Sequence, residues 1–132
     1  MGARDRFRGW VDESKSDLET ARILMDAGRY NAAVFYCQQS AEKAMKGLLL
    51  KSHEAPWGHS VWDLYLNAAE VTGDHDAEVE AATKGLDLHY VPTRYPDALP
   101  SSTTPSEFYG KEQAGEAISW ANKVMEYITR YM

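Results

Sequence analysis

From Phe7 to Met25, apolar or small residues recur at Phe7, Trp10/Val11, Ser14, Leu18, Ala21 and Leu24/Met25. Steps of three and four place them on one face of a helix, and Gly28 supplies its stop. The segment Tyr30 to Leu50 repeats the pattern through Val34, Cys37, Ala41, Ala44/Met45 and Leu48. It is also rich in strong helix formers, so the spacing predicts a second helix ending near Ser52, before Pro56 and Gly58 break the pattern.

Ser60-Val-Trp-Asp63 has the shape of a capping box and predicts a third helix from Val61 towards Val71, with Val61, Leu64/Tyr65 and Ala68 inward. Thr72-Gly73-Asp74 ends it and is expected to cap a fourth, roughly Asp76 to His89, with a sparser stripe at Val79, Ala82, Leu86 and His89/Tyr90. Pro92, Pro96 and Pro100 then exclude continuous helix, and Ser101 to Thr104 has the composition of a mobile loop. Thr104-Pro105-Ser106-Glu107 combines a capping Thr, a first-turn Pro and a third-position Glu, predicting a last helix with Ala114, Ala117/Ile118, Ala121, Val124/Met125, Ile128 and Tyr131/Met132 on one face. No alternating strand, internal repeat or low-complexity tract appears. The expectation is an all-α single domain over residues 1–132, an antiparallel up-and-down bundle of four to five helices.

Charge narrows the functions such a bundle can serve. Lys and Arg number 14 against 20 Asp and Glu, a net charge of −6, which opposes the nonspecific phosphate attraction behind most sequence-independent nucleic-acid binding. A small nucleotide or a protein partner fits better. Cys37 is the single cysteine, so an internal disulfide is excluded and a small buried apolar role is expected. No apolar run approaches the roughly 18 residues of a membrane span, and the basic N-terminus leads into no apolar signal region. A cytoplasmic protein without membrane contact is expected.

Two polar rows, Gln38/Glu42/Lys46 and Gln39/Lys43, run along the second helix at four-residue spacing. Glu before Lys in that order is a favourable surface pair, and the rows read as a solvated face. The histidines, His53, His59, His75 and His89, form no helical pair and have no acidic partner at metal-ligand spacing, so neither a metal nor another cofactor is expected. Glycine-rich phosphate loops, a Gly-x-Ser-x-Gly elbow and cysteine nucleophile motifs are absent as well.

The stretch "HYVPTRYPDALP" from His89 to Pro100 is the one connection long enough to suggest a function. Arg94 lies between Tyr90 and Tyr95 with His89 just before, so a guanidinium, two phenols and an imidazole can converge on a phosphate and a base. Equally, the tyrosines can pack the loop while Arg94 bonds the exposed carbonyls of a helix end. Both readings stand at this point.

These residues also carry a family resemblance. Trp10-Val-Asp-Glu-Ser-Lys-Ser-Asp-Leu18, the turn at Gly28-Arg-Tyr30, Tyr36-Cys-Gln-Gln-Ser-Ala-Glu-Lys-Ala-Met-Lys-Gly47, His59-Ser-Val-Trp-Asp-Leu64 and Tyr90-Val-Pro-Thr-Arg-Tyr-Pro-Asp97 together resemble the HEPN domain of prokaryotic nucleotidyltransferase-associated proteins. The resemblance implies a helical fold that commonly forms a homodimer, a minimal nucleotidyltransferase as partner, and a nucleotide or RNA as ligand, often in a toxin–antitoxin-like pair. With the loop's own reading, it leaves His89, Tyr90, Arg94, Tyr95, His59, Glu42, Lys43 and Lys46 as candidate ligand- or partner-binding residues. Many family members are ribonucleases using an Arg-x(4–6)-His motif, which this chain lacks; His89-x4-Arg94 is its inversion. The expectation is therefore a noncatalytic binding protein, with a metal-independent ribonuclease of non-standard site as the alternative.

Overall fold

A computed structural model describes residues 2–132 and their side chains, that of Ser101 excepted. Six α-helices follow one another: α1 (Ala3–Asp26), α2 (Tyr30–Lys51), α3 (Val61–Thr72), α4 (Ala77–Asp87), the single turn α5 (Pro105–Phe108) and α6 (Lys111–Thr129). Among the described residues there is no strand. The all-α bundle expected from the periodicity is the fold observed.

Several predicted signals act as their chemistry requires. Gly28 takes a φ of +76°, which lets Arg29 N donate to Leu24 O at 2.8 Å and closes α1. Ser60 Oγ accepts from Asp63 N at 3.1 Å and starts α3, and Gly73, also at φ +76°, ends it. Two boundaries differ from expectation. The cap of α4 is Asp76, whose carboxylate accepts from Glu78 N and Val79 N, and the helix stops at Asp87, with His89 to Arg94 in hydrogen-bonded turns. The stretch around Pro96 and Pro100 folds into two short 3-10 turns, Pro96–Ala98 and Pro100–Ser102. The last helical segment is divided at Tyr109-Gly110, where Gln113 Oε1 accepts from Gly110 N at 2.9 Å and restarts the chain as α6.

The centre of the molecule is α2, packed against α1, α3, α4, α5 and α6. Met45, Leu48 and Leu49 from α2 meet Val11, Leu64, Leu86, Tyr127 and Ile128 in one core, and Cys37 is buried there, its thiol pushed up to about 12 by desolvation. Gly47 lets α1 approach closely, since a β-carbon there would stand 2.8 Å from Trp10 Cβ. A helix so enclosed has little solvated face to offer. Gln38, Ser40 and Glu42 are buried, which corrects the surface reading of the polar rows. Their polarity is absorbed by partners: Ser14 Oγ donates to Ser40 O at 2.6 Å, Ser40 Oγ donates to Ser14 O at 2.8 Å, and Lys43 lies 2.7 Å from the Asp17 carboxylate of α1.

Candidate functional site

The site forms where the first half of α2 meets the loops leading into α3 and out of α4. Each loop is tied to α2 by a side-chain amide. Gln38, fully buried, donates from Nε2 to His59 O at 2.8 Å and accepts at Oε1 from Gln39 Nε2 at 2.7 Å. Asn31 Nδ2 donates to Thr93 O at 3.1 Å, and the buried Thr93 hydroxyl donates to His89 O at 2.8 Å. These bonds hold the turns after α4 against α2 without a regular helix.

Arg94 projects from that turn into a group of aromatic rings. Its guanidinium carbon lies 4.6 Å from the ring centres of Phe35 and Tyr90 and 5.0 Å from that of Tyr95. Nε and Nη2 both donate to Tyr90 O, at 3.1 and 3.0 Å. The two readings of the loop thus meet in one residue. Arg94 does bond a carbonyl exposed beyond a helix end, yet this occupies one edge of a group with five N–H donors. Nη1 makes no hydrogen bond among the described residues, and Arg94 is exposed. The guanidinium is held in place with donors to spare.

The imidazole beside this cluster belongs to His59. Its ring stacks on Tyr90, centres 4.8 Å apart and planes 18° apart. Its Nδ1 lies 3.2 Å from Glu42 Oε1, while Glu42 Oε2 accepts from Lys46 Nζ at 3.0 Å. Glu42 is 6% exposed, so its carboxylate is a buried anchor shared between a lysine and a histidine. With Nδ1 engaged, His59 can present Nε2 outward, its side chain being 59% exposed.

His89 goes elsewhere, so the predicted convergence of its imidazole with Arg94 does not occur. Its Nδ1 is 2.6 Å from the Tyr109 hydroxyl and its ring stacks near Trp120 of α6. Burial holds the imidazole below its ordinary value, with Glu116 pulling weakly the other way, and burial pushes the Tyr109 phenol up to about 12. Lys43 faces α1 through Asp17, outside the cluster. The structure therefore gathers Glu42, Lys46, His59, Tyr90, Arg94 and Tyr95, and adds Phe35 and Gln38, which periodicity alone assigns no chemical role. The signal for Gln38 was a polar residue adjoining Cys37 on the inward stripe.

This arrangement can grip an anion by a charge-assisted hydrogen bond and offer aromatic faces for stacking. Among the described residues no group of three His, Cys, Asp or Glu side chains is placed to hold a metal ion, and no helix is long and apolar enough to cross a membrane.

Comparison with known proteins places this geometry in a family. The chain is similar to TT1696 of Thermus thermophilus, with 35% identity, 96% of this chain and 98% of the other covered, and a TM-score of 0.91. ST0689, an archaeal HEPN homologue, shares 33% identity over 99% of this chain and 98% of its own, with a TM-score of 0.81. Among curated proteins, "Putative toxin MJ1304" of Methanocaldococcus jannaschii is 28% identical over 93% of this chain and 86% of its own length. Residues 7–131 match the HEPN domain profile, and the chain belongs to the HEPN family.

Proposed function

We propose that this protein is a noncatalytic HEPN binding protein that pairs with a minimal nucleotidyltransferase and takes a nucleotide at the Arg94 cluster, as one half of a toxin–antitoxin-like system. The observation that carries this is the half-used guanidinium of Arg94, fixed by Tyr90 O and three aromatic rings while part of its donor set stays open. Fixed donors beside exposed aromatic surface suit recognition of a phosphate with its base, or of a partner's acidic side chain. The toxin-like side draws support from the name of the M. jannaschii relative. A homodimer fits the exposed apolar side chains around the same loops, Leu88, Val91 and Tyr95.

Co-expression with a minimal nucleotidyltransferase from the same genome tests the reading. The parent is expected to co-purify, and Arg94→Ala to lose the complex while retaining its fold. A parent that never co-purifies, or a variant that binds equally well, contradicts it.

A second reading rests on the Glu42–His59 pair beside Arg94. A carboxylate-oriented imidazole that shares the Tyr90 ring with a cation has the parts for metal-independent phosphodiester cleavage, the histidine moving a proton and the arginine stabilising charge. That reading replaces His89 with His59 as the proton carrier and predicts RNA cleavage in chelator.

A further inference from the structure

A separate charged cleft lies at the other end of α2. Lys51 closes that helix, and at ~1.5 Å per residue it stands roughly 24 Å along the axis from Phe35 beneath Arg94. The cleft has a volume of about 430 Å³, and Arg4, Arg8, Lys51 and His53 line it together with Phe7 and Tyr131. Among the described residues no Asp or Glu lines it, and the carboxylate of Met132, which borders it, forms no ion pair with its cations, in a chain whose acidic residues outnumber its basic ones by 20 to 14.

This concentration of cations works against local stability. Arg4 and Arg8 are four residues apart on one face of α1, where like charges repel, and Arg4 lies in its first turn, where the positive end of the helix dipole disfavours a cation. Among the described residues neither forms an ion pair, nor does Lys51. Lys51 is nonetheless fixed, its ammonium 5.0 Å from the Phe7 ring centre and donating to Tyr131 O. His53 adds an imidazole from a left-handed backbone, φ +63°, that non-glycine residues seldom adopt. Unneutralised cations around a pre-formed hollow are resolved by a multiply charged anion, which meets several of them at once.

We propose that this cleft is a binding site for an oligophosphate group, with Arg4 and Arg8 contacting its outer phosphates and Lys51 and His53 its inner end. The site is independent of the Arg94 cluster and of any nucleotidyltransferase partner. Its source, free polyphosphate or the chain of a nucleoside triphosphate, is separated by comparing inorganic triphosphate with ATP, and an oligoribonucleotide with a 5′-hydroxyl controls for binding of a phosphodiester backbone.

Isothermal titration of the full chain with inorganic triphosphate at low salt is the test. Saturable one-to-one binding is expected, weakening as salt rises. Arg4→Ala/Arg8→Ala should weaken it by about tenfold or more, since each charge-assisted contact is worth roughly a decade in affinity. Arg94→Ala should leave it unchanged, as should Lys15→Ala/Arg29→Ala, which removes the same net charge elsewhere. Absence of saturable binding overturns the proposal, and so does an equal loss in the Lys15/Arg29 variant, which marks the attraction as mere net charge. ATP matching triphosphate points to the phosphate chain of a nucleotide; tight binding of the 5′-hydroxyl oligoribonucleotide alone contradicts an oligophosphate site.

Discussion

Replacing Gln38 by alanine separates a solvated α2 face from the enclosed one observed. On an exposed face the change is worth less than about 0.5 kcal/mol, and alanine's helix propensity even favours it. In the structure Gln38 is fully buried, donates to His59 O at 2.8 Å and accepts from Gln39 at 2.7 Å. Losing the bond that ties α2 to the segment before α3 costs about 0.5–1.5 kcal/mol net. Removing the buried side chain adds about 1–2 kcal/mol for lost packing, and the propensity gain returns only a few tenths. The total is about 1–3 kcal/mol, a sizeable part of a domain stability of roughly 5–15 kcal/mol. Urea unfolding followed by both circular dichroism and tryptophan fluorescence measures it, with an unchanged m-value expected. A loss below about 0.5 kcal/mol would refute the reasoning, because it would mean that Gln38 carries no structural bond.

Gly85→Ala should also destabilise, by about 1–2 kcal/mol, because the added β-carbon would stand 2.6 Å from the Trp120 ring and overpacking outweighs the gain in helix propensity; a stabilised variant in urea would contradict the close packing of α4 on α6. The imidazole of His89 should impose a pH dependence of defined sign. Its folded value lies below the ordinary 6.5, so the unfolded chain takes the proton first, and the contribution is whole above about pH 6.5 and declines as pH falls towards the folded value. His89→Phe should flatten the fall in melting temperature between neutral and mildly acid pH, and an unchanged slope would count against the burial of this ring on Trp120.

Most of the bundle was legible from period and punctuation. The stripes of α1, α2, α3 and α6, and the stops at Gly28 and Gly73, depend on local spacing and backbone freedom, which a sequence displays directly. The break at Tyr109-Gly110 was less visible, because the Thr104 cap and the following apolar stripe are compatible with one continuous helix. The polar rows of α2 were misread for a different reason. Spacing reveals which residues share a face but not how many helices surround it, and α2 is enclosed on several sides, so Gln38 and Glu42 find partners inside the protein. The loop announced itself through Tyr90, Arg94, Tyr95 and its prolines. Which histidine joins it could not be read from proximity in sequence: His89 adjoins Tyr90 along the chain but turns to Tyr109, whereas His59, from the segment before α3, stacks on Tyr90. His59 and Arg94 both come to the Tyr90 ring through tertiary packing, held by Gln38 and Asn31.

Whether this cluster binds or cleaves is decided most directly by incubating the purified protein with single-stranded and structured RNA in excess chelator, beside a His59→Ala/Arg94→Ala variant. A noncatalytic binding protein leaves both RNAs intact over hours, with parent and variant indistinguishable. Cleavage by the parent that disappears in the variant would contradict the account and place His59 and Arg94 in a working ribonuclease site.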